Sequence, residues 1–180
     1  VLYWMQSAQR AACNHALEYA LGQANLLRNP LLVYFGVTEN FPEANERHYR
    51  FMLEGLRETR ADLARRGIRL LVLRASPEAG ALALSGSAAM AVTDRGYLRV
   101  ERAWRDMLAG GADCLVTQVE TNVIVPVETA SGKEEYTAAT LRPKIRRLIG
   151  LFDDAPGEEE AQVPSLGLSL PFEALDLTDI

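Results

Sequence analysis

The sequence has few cysteines, few histidines and no long apolar run. Its 180 residues include two cysteines, Cys13 and Cys114, and two histidines. Two distant cysteines make neither a disulfide framework nor a zinc-binding pattern, so a reducing compartment, the cytoplasm, is expected. No stretch reaches the roughly 18 apolar residues of a membrane-spanning helix. We therefore expect neither a membrane partner nor a metal site.

Common signatures of phosphate and hydrolase sites are also missing. No G-x-G-x-x-G follows the first predicted strand, and there is no Walker A sequence and no G-x-S-x-G nucleophile elbow. His15 and His48 fall on predicted helices without metal-ligand spacing, which favours a structural or surface role. Cys13 and Cys114 are expected to be small buried hydrophobic residues. The pattern alone therefore predicts no catalytic residue.

Charge is unevenly distributed along the chain. Residues 1–150 contain all 19 Lys and Arg with 16 acidic residues, whereas residues 151–180 contain eight acidic residues and no base. Seventeen of the bases are Arg, which a GC-rich genome explains as well as phosphate binding does, so we infer no nucleic-acid footprint. We predict an α/β domain over residues 1–152 and an acidic linker over residues 153–180 that leads to a further domain.

Apolar runs and amphipathic helices alternate along the first 152 residues. The predicted strands are 1–5, 31–37, 68–73, 88–93 and 114–119. The predicted helices are 9–27, 45–66, 77–84 with Ser76 as N-cap, 98–108, and a last one ending near residue 152, which Pro143 starts or kinks. Residues 122–127 are expected to be extended. This alternation predicts a Rossmann-like, doubly wound sheet of five parallel strands with helices on both faces, a three-layer sandwich.

Ligands of this fold class bind outside the carboxyl ends of the strands. The candidate ligand loops are therefore 6–10, 36–41, 94–97 and 120–123. Asp94 has two interpretations, a ligand-facing carboxylate or, more commonly, a helix cap with a nearby Arg. The cluster of Arg142, Lys144, Arg146 and Arg147 is either a solvated helix face, which is the commoner case, or a docking surface.

Four motifs follow one another between residues 2 and 150. Residues 3–10 read Y-W-M-Q-S-A-Q-R, and residues 47–56 read R-H-Y-R-F-M-L-E-G-L. Residues 92–94 read V-T-D before Leu98 and Arg99, and N-V-I-V-P at 122–126 precedes Ser131, Lys133, Glu135, Tyr136, Thr140, Arg142, Lys144 and Ile145. In order and spacing they resemble the N-terminal domain of class II DNA photolyases, which repair cyclobutane pyrimidine dimers.

The chain departs from the family pattern at four places. Ser7 and Ala8 stand where the family has Arg-Asp, and His15 stands where it has Trp. Residues 119–121, V-E-T, replace Asp-Ala-His, and residues 128–129, E-T, replace an aromatic residue. All four departures fall at loops or helix starts that face the expected ligand site.

The resemblance implies light-driven DNA repair by the whole protein. FAD and the dimer pocket would belong to a C-terminal helical domain beyond this sequence, so this piece alone is expected to be inactive. Ultraviolet-damaged DNA and the chain's own FAD domain are the implied partners, and Lys133, Arg142 and Lys144 are predicted to dock that domain rather than DNA. A photolyase homologue that senses light without repair, and a stand-alone nucleotide-binding domain, remain alternatives.

The N-terminal domain resembles those that hold an antenna chromophore, a deazaflavin or a folate. The strand-end rule and the motif positions together predict the residues that would contact it. They are Met5, Gln6, Gln9, Arg10, Phe35, Gly36, Asp94 and Asn122.

Overall fold

Five parallel strands form one sheet in the order β3-β2-β1-β4-β5. The computed structural model describes residues 1–39 and 41–177. The strands are β1 (Leu2–Trp4), β2 (Leu32–Val37), β3 (Arg69–Arg74), β4 (Met90–Asp94) and β5 (Leu115–Val119). Every neighbouring pair is parallel. This confirms the predicted sheet and places its topological switch point between β1 and β4.

Helices cover both faces of the sheet. The covering helices are α1 (His15–Leu27), α2 (Glu46–Arg65), α3 (Pro77–Ser85) and α4 (Arg99–Gly111). After β5 come α5 (Val127–Ala130), α6 (Ala138–Leu148) and a 3₁₀ turn (Ile149–Leu151). Because side chains alternate along a strand, Tyr3 packs with α1 and α2, whereas Trp4 packs with α3 and α4. The two cores make the predicted three-layer sandwich.

The first predicted helix is six residues too long at its start. Residues 5–14, here called the β1 loop, are irregular, and α1 begins only at His15. Asn14 is fully buried and caps α1 by accepting from the Leu17 N–H at 3.0 Å. Its amide also donates to the carbonyls of Ala8 and Arg10. Because this cap fixes the start of the helix at His15, residues 9–14 lie outside it, although apolar periodicity alone had assigned them to it.

Several local details differ from the sequence predictions or refine them. Cys13 is exposed with a left-handed φ of 49°, because it lies in the turn before α1, while Cys114 is half-buried against the second core. Ser76 precedes α3 but makes no side-chain capping bond. Residues 122–127 bend instead of running as an extended strand, and α5 begins at Val127. Pro143 lies inside α6 rather than at its start.

The chain after residue 158 returns to the outer edge of β3. Residues 159–177 are here called the strap. The N–H groups of Ala161 and Ser165 donate to the Arg66 and Gly67 carbonyls just before β3, at 3.1 and 2.8 Å, and the Leu175 N–H donates to the Val72 carbonyl within β3 at 2.8 Å. Leu177 is fully buried in the core formed with α1 and α2. The strap is thus part of the folded core, and its continuation into a further domain stays a prediction.

Arg66 holds the start of the strap. Its guanidinium forms a nearly buried ion pair with Glu18, with Nη2 and Oε2 2.7 Å apart, and donates from Nε to the Glu159 carbonyl at 2.8 Å. The third nitrogen, Nη1, donates to Ala11 in the β1 loop at 3.3 Å. One side chain therefore joins the strap, α1 and the β1 loop.

A polar cluster fixes the start of α6. Lys144 donates from Nζ to the Glu135 carboxylate and to Ser131 Oγ, and Ser131 Oγ donates to Glu135 at 2.8 Å. Thr137 caps the helix by accepting from the Thr140 N–H. Hydrogen bonds from Lys144, Thr140 and Ser131 lower the pKa of Glu135 from 4.5 to about 2.

This lowered pKa predicts an acid-sensitive helix start. A carboxyl group whose pKa falls on folding stabilises the fold fully above its unfolded pKa, and that contribution is lost as the pH falls through the folded value. We expect the protection of the α6 amides against hydrogen exchange to decline between pH 4.5 and about 2. Glu135→Gln should remove this dependence, whereas Glu134→Gln, at an exposed neighbour, should keep it. Equal pH profiles for wild type and Glu135→Gln would contradict the assignment.

Candidate functional site

An open cleft of about 840 Å³ lies over the carboxyl ends of β1 and β2. Met5 and Gln6 line it from the end of β1, and Phe35 and Gly36 from β2. The remaining walls come from the loop after β2, the first half of α2, and Glu101 and Trp104 of α4. A cleft of this size, at this edge of the sheet, is where the fold class binds small molecules.

Aromatic rings supply much of the lining. Phe41 reaches across from the loop after β2 to Trp104 on α4, with ring centroids 6.2 Å apart and planes tilted by 56°. Tyr49 fixes this loop because its hydroxyl donates to the Thr38 carbonyl at 2.7 Å and accepts from the Phe41 N–H. Phe51, at the mouth of the cleft, is 81% exposed. Such walls suit a flat, conjugated ligand.

Two glycines give the cleft its shape. A Cβ atom on Gly36 would lie 2.5 Å from Tyr34 Oη and 2.6 Å from Pro77 Cα, so only glycine lets the end of β2 approach α3. Gly55 on α2 has the opposite surroundings, since apart from its chain neighbours and its own helix backbone no heavy atom lies within 4 Å of a Cβ added there. The missing side chain at Gly55 leaves open volume inside the cleft.

Asp94, at the end of β4, organises the β1 loop. Its fully buried carboxylate accepts from the N–H groups of Gln6, Ser7 and Ala8 at 2.6, 2.7 and 2.6 Å, and from Ser7 Oγ at 2.8 Å. The helix-cap interpretation of Asp94 is wrong, because α4 begins at Arg99 with Leu98 at the cap position. The carboxylate instead shapes the loop that lines the cleft.

A buried arginine supports the cleft from behind. Arg105 on α4 donates to Gln6 Oε1 at 3.0 Å and to Gln118 Oε1 at 2.8 Å. Gln6 in turn donates from Nε2 to the Glu101 carbonyl of α4 at 3.3 Å. Burial lowers the pKa of Arg105 from its ordinary value. The amide of Gln6 is therefore held by α4, and its orientation is fixed before any ligand arrives.

Arg10 and Asn122 lie at a second, smaller pocket of about 480 Å³. The Arg10 guanidinium donates to Asn122 Oδ1 at 2.8 Å and to the Thr121 carbonyl at 2.7 Å. Asn122 donates to Ser7 Oγ at 3.0 Å. The pair joins the β1 loop to the loop after β5.

Several residues at which the sequence departs from the photolyase pattern make polar contacts, either with one another or with residues of the loop after β4. Thr121 Oγ1 accepts from the His15 N–H at 2.9 Å. Glu120 accepts from the Tyr97 hydroxyl at 2.5 Å, and Glu128 pairs with Arg95, with Nη2 and Oε1 2.8 Å apart. The replacements therefore form polar contacts that close the loops after β1, β4 and β5 against each other.

The predicted contact residues divide into three groups. Met5, Gln6, Gln9, Phe35 and Gly36 line the cleft. Arg10 and Asn122 line the second pocket, and Asp94 lines neither of the two. Ligand contact stays a prediction for all eight.

Sequence reasoning missed the part of the wall that does not follow a strand. Tyr49, Phe51, Met52 and Trp104 line the cleft from helices, whereas Phe41 is the last residue of the candidate loop 36–41. Tyr49 and Met52 recur at helical spacing and pack against the core, as apolar residues in this pattern usually do, and they line the cleft as well. The available signal was the extra aromatic Phe51 beside Gly55 on the same helix, one turn apart.

The cleft carries little charge. Among the described residues that line it there is no Lys or Arg, and the acidic residues are Glu43 and Glu101. Glu101 is engaged, since Oε2 accepts from the Leu98 N–H at 2.9 Å. Within residues 1–39 and 41–177, no three His, Cys, Asp or Glu side chains group as a metal site requires. No helix in this part of the chain has the length and apolar character to cross a membrane.

The DNA photolyase family model matches residues 1–164. The chain belongs to the DNA photolyase family. It is 51% identical over 177 residues to a deoxyribodipyrimidine photo-lyase of Methanothermobacter thermautotrophicus, and the match covers 98% of this chain and 38% of that protein. A deoxyribodipyrimidine photo-lyase of Oryza sativa is 36% identical over 160 residues, or 83% of this chain and 31% of the relative. Membership of the DNA photolyase family, which the four motifs predicted, is thereby confirmed.

A solved photolyase shares the fold. The archaeal photolyase of Sulfolobus tokodaii, whose structure contains two FAD molecules, superposes with a TM-score of 0.69 at 16% identity. The match covers 81% of this chain and 34% of that one. This chain therefore spans about a third of the length of the photolyases that it matches.

Proposed function

We propose that this chain is the antenna-type N-terminal domain of a class II photolyase that repairs cyclobutane pyrimidine dimers. The observation that carries the proposal is the 51% identity, over nearly the whole chain, to a deoxyribodipyrimidine photo-lyase. The motifs at residues 3–10, 47–56, 92–99 and 122–145 support class II, because their order and spacing resemble that class. The whole protein would be a cytoplasmic carbon–carbon lyase that acts on ultraviolet-damaged DNA.

FAD and the site of repair belong, in this proposal, to a C-terminal helical domain. When bound, FAD supplies the electron that splits the dimer, and the protein supplies its position and environment. The two pockets described here contain neither a phosphate loop nor a cluster of basic residues. We therefore expect this domain alone to have no repair activity.

The cleft over β1 and β2 is the proposed antenna site. Phe35, Phe41, Tyr49 and Trp104 present aromatic surface to it, and Gly55 leaves volume that a flat ring system could occupy. Gln9 and other residues of the β1 loop add polar groups at the rim. Most of these side chains are held by contacts within the domain, so little ordering would be needed on binding.

The charges of the cleft favour a deazaflavin over a folate. A folate carries the carboxylates of its glutamate tail, and these would enter a lining that has two glutamates and no described Lys or Arg. A carboxylate buried without a cation or enough hydrogen-bond donors is strongly disfavoured. A deazaflavin without a glutamate tail brings no such carboxylates into the cleft.

The test is a spectrum and a repair assay on the whole protein purified in the dark. We expect flavin absorption, a second near-ultraviolet or blue band from the antenna, and light-dependent repair of an irradiated oligonucleotide. A dark incubation is the control. Flavin without repair would instead indicate a light-sensing homologue, and a protein that binds no flavin would contradict the proposed activity.

A further inference from the structure

Helix α6 is amphipathic, yet none of its residues is buried in this domain. Leu141, Ile145 and Leu148 recur at helical spacing and are only half-buried. An isolated helix of 11 residues is marginal in water, so its stability must come from packing. The apolar stripe on α6 is therefore incompletely covered.

The apolar surface continues beyond the helix. Leu151 is 73% exposed, Ile124 is 55% exposed and Val127 is 43% exposed. Within residues 122–151, all of which the structure describes, only Val125 is classed as buried. These exposed side chains and the α6 stripe are here called the α6 surface. Exposed apolar side chains that concentrate in one segment, next to a helix with an uncovered apolar stripe, favour an interaction site.

The α6 surface is preorganised. The bonds among Ser131, Glu135 and Lys144 hold the loop before α6 against the helix, and the Glu135 side chain is only 7% exposed. Lys144 is thus bonded within the domain, and its predicted role in docking the FAD domain stays a prediction. Lys133, Arg142, Arg146 and Arg147 are exposed in the same segment.

We infer that the α6 surface docks the C-terminal part of the whole protein. This inference rests on the proposed function, because the occupant is the remainder of a photolyase of which this chain spans about a third. An apolar centre within a polar rim is the anatomy of a protein interface. We expect the occupant to present an apolar patch bordered by acidic residues that complement the four exposed cations.

Two other occupants fit less well. Nucleic acid is bound mainly through phosphates, and the apolar residues at the centre of this surface would gain little from such a partner. In a symmetric pair of copies, the same basic rim would face itself, because a twofold interface uses one patch twice. Like charges across an interface disfavour the complex.

Hydrogen exchange on the whole protein tests the inference. The variant Ile124→Asp with Leu151→Asp alters exposed side chains, and Leu26→Asp with Leu166→Asp is the matched control at sites 76% and 50% exposed. We expect the first variant to speed exchange in residues 138–151 at least about tenfold, equivalent to 1.4 kcal/mol. Peptides from beyond residue 180 should lose protection as well, and the control should change neither.

Each other result would overturn the docking surface. Unchanged exchange in both regions would show that the α6 surface has no partner in the protein. Protection that falls on dilution would indicate a second copy. If Arg142→Ala with Arg146→Ala weakened binding of lesion DNA but left exchange unchanged, the surface would bind DNA. None of these readouts depends on flavin absorption or repair, so failure of the inference is distinguishable from failure of the proposed function.

Discussion

Replacing Asp94 with alanine is expected to lower the free energy of unfolding by about 3–5 kcal/mol. The carboxylate is fully buried and accepts from three backbone N–H groups of the β1 loop and from Ser7 Oγ. Alanine leaves those donors without a partner where water does not easily reach, and each unsatisfied group costs about 1–3 kcal/mol. The loss should also disorder the cleft wall that the loop forms.

Urea denaturation of the whole protein, monitored through hydrogen exchange of the strand amides, measures this change in the free energy of unfolding. Asp94→Asn should be nearly as damaging, because the amide nitrogen would face an N–H donor. Ser7→Ala should cost only about 1 kcal/mol, since it removes one hydroxyl bond. Asp113→Asn, at an exposed aspartate, is the control. A loss below about 1 kcal/mol for Asp94→Ala would contradict the role assigned to this carboxylate.

Filling the cleft from Gly55 should separate ligand binding from stability. Gly55→Leu places a side chain in open volume that the cleft otherwise contains, and we expect it to weaken deazaflavin binding at least about tenfold. Gly55→Ala should instead raise stability by about 0.5–1 kcal/mol, because alanine is the better helix former. Binding is measured by fluorescence titration of the whole protein.

Gly22→Leu is the matched control for that experiment. Gly22 also lies within a helix and has no heavy atom within 4 Å of an added Cβ, but it does not line the cleft. We expect it to bind deazaflavin as the wild type does. If Gly55→Leu also bound normally, the antenna would have to lie elsewhere than in this cleft.

The sheet and its four covering helices were predictable because they depend on local periodicity. Continuous apolar runs mark β2 and β4 as doubly covered strands, and the alternation with helices fixes the parallel order. The start of α1 was not predictable in this way. Asn14 is buried and bonds to the Tyr3 hydroxyl and to the carbonyls of Ala8 and Arg10. This environment exists only once the chain has folded.

The cleft was half predictable for a similar reason. The rule that ligands bind at strand ends finds residues such as Met5 and Phe35, which follow directly from the topology. It includes Phe41 only as the last position of the loop 36–41 and does not find Trp104, since the two rings meet only when the loop after β2 crosses the sheet end. The rule can also select a residue that lines neither pocket, as Asp94 shows, because a carboxylate at a strand end can bond to a neighbouring loop as well as to a ligand.

The strap has a practical consequence for handling this domain. By bonding to Val72 through Leu175, it covers the outer side of β3, whose free backbone groups would otherwise be able to pair with another chain. Ending an expressed protein near residue 152, where the composition changes, would uncover that side and the apolar surface under Leu177. Such a truncation would be prone to aggregation, whereas one that ends after residue 177 would keep the cover in place.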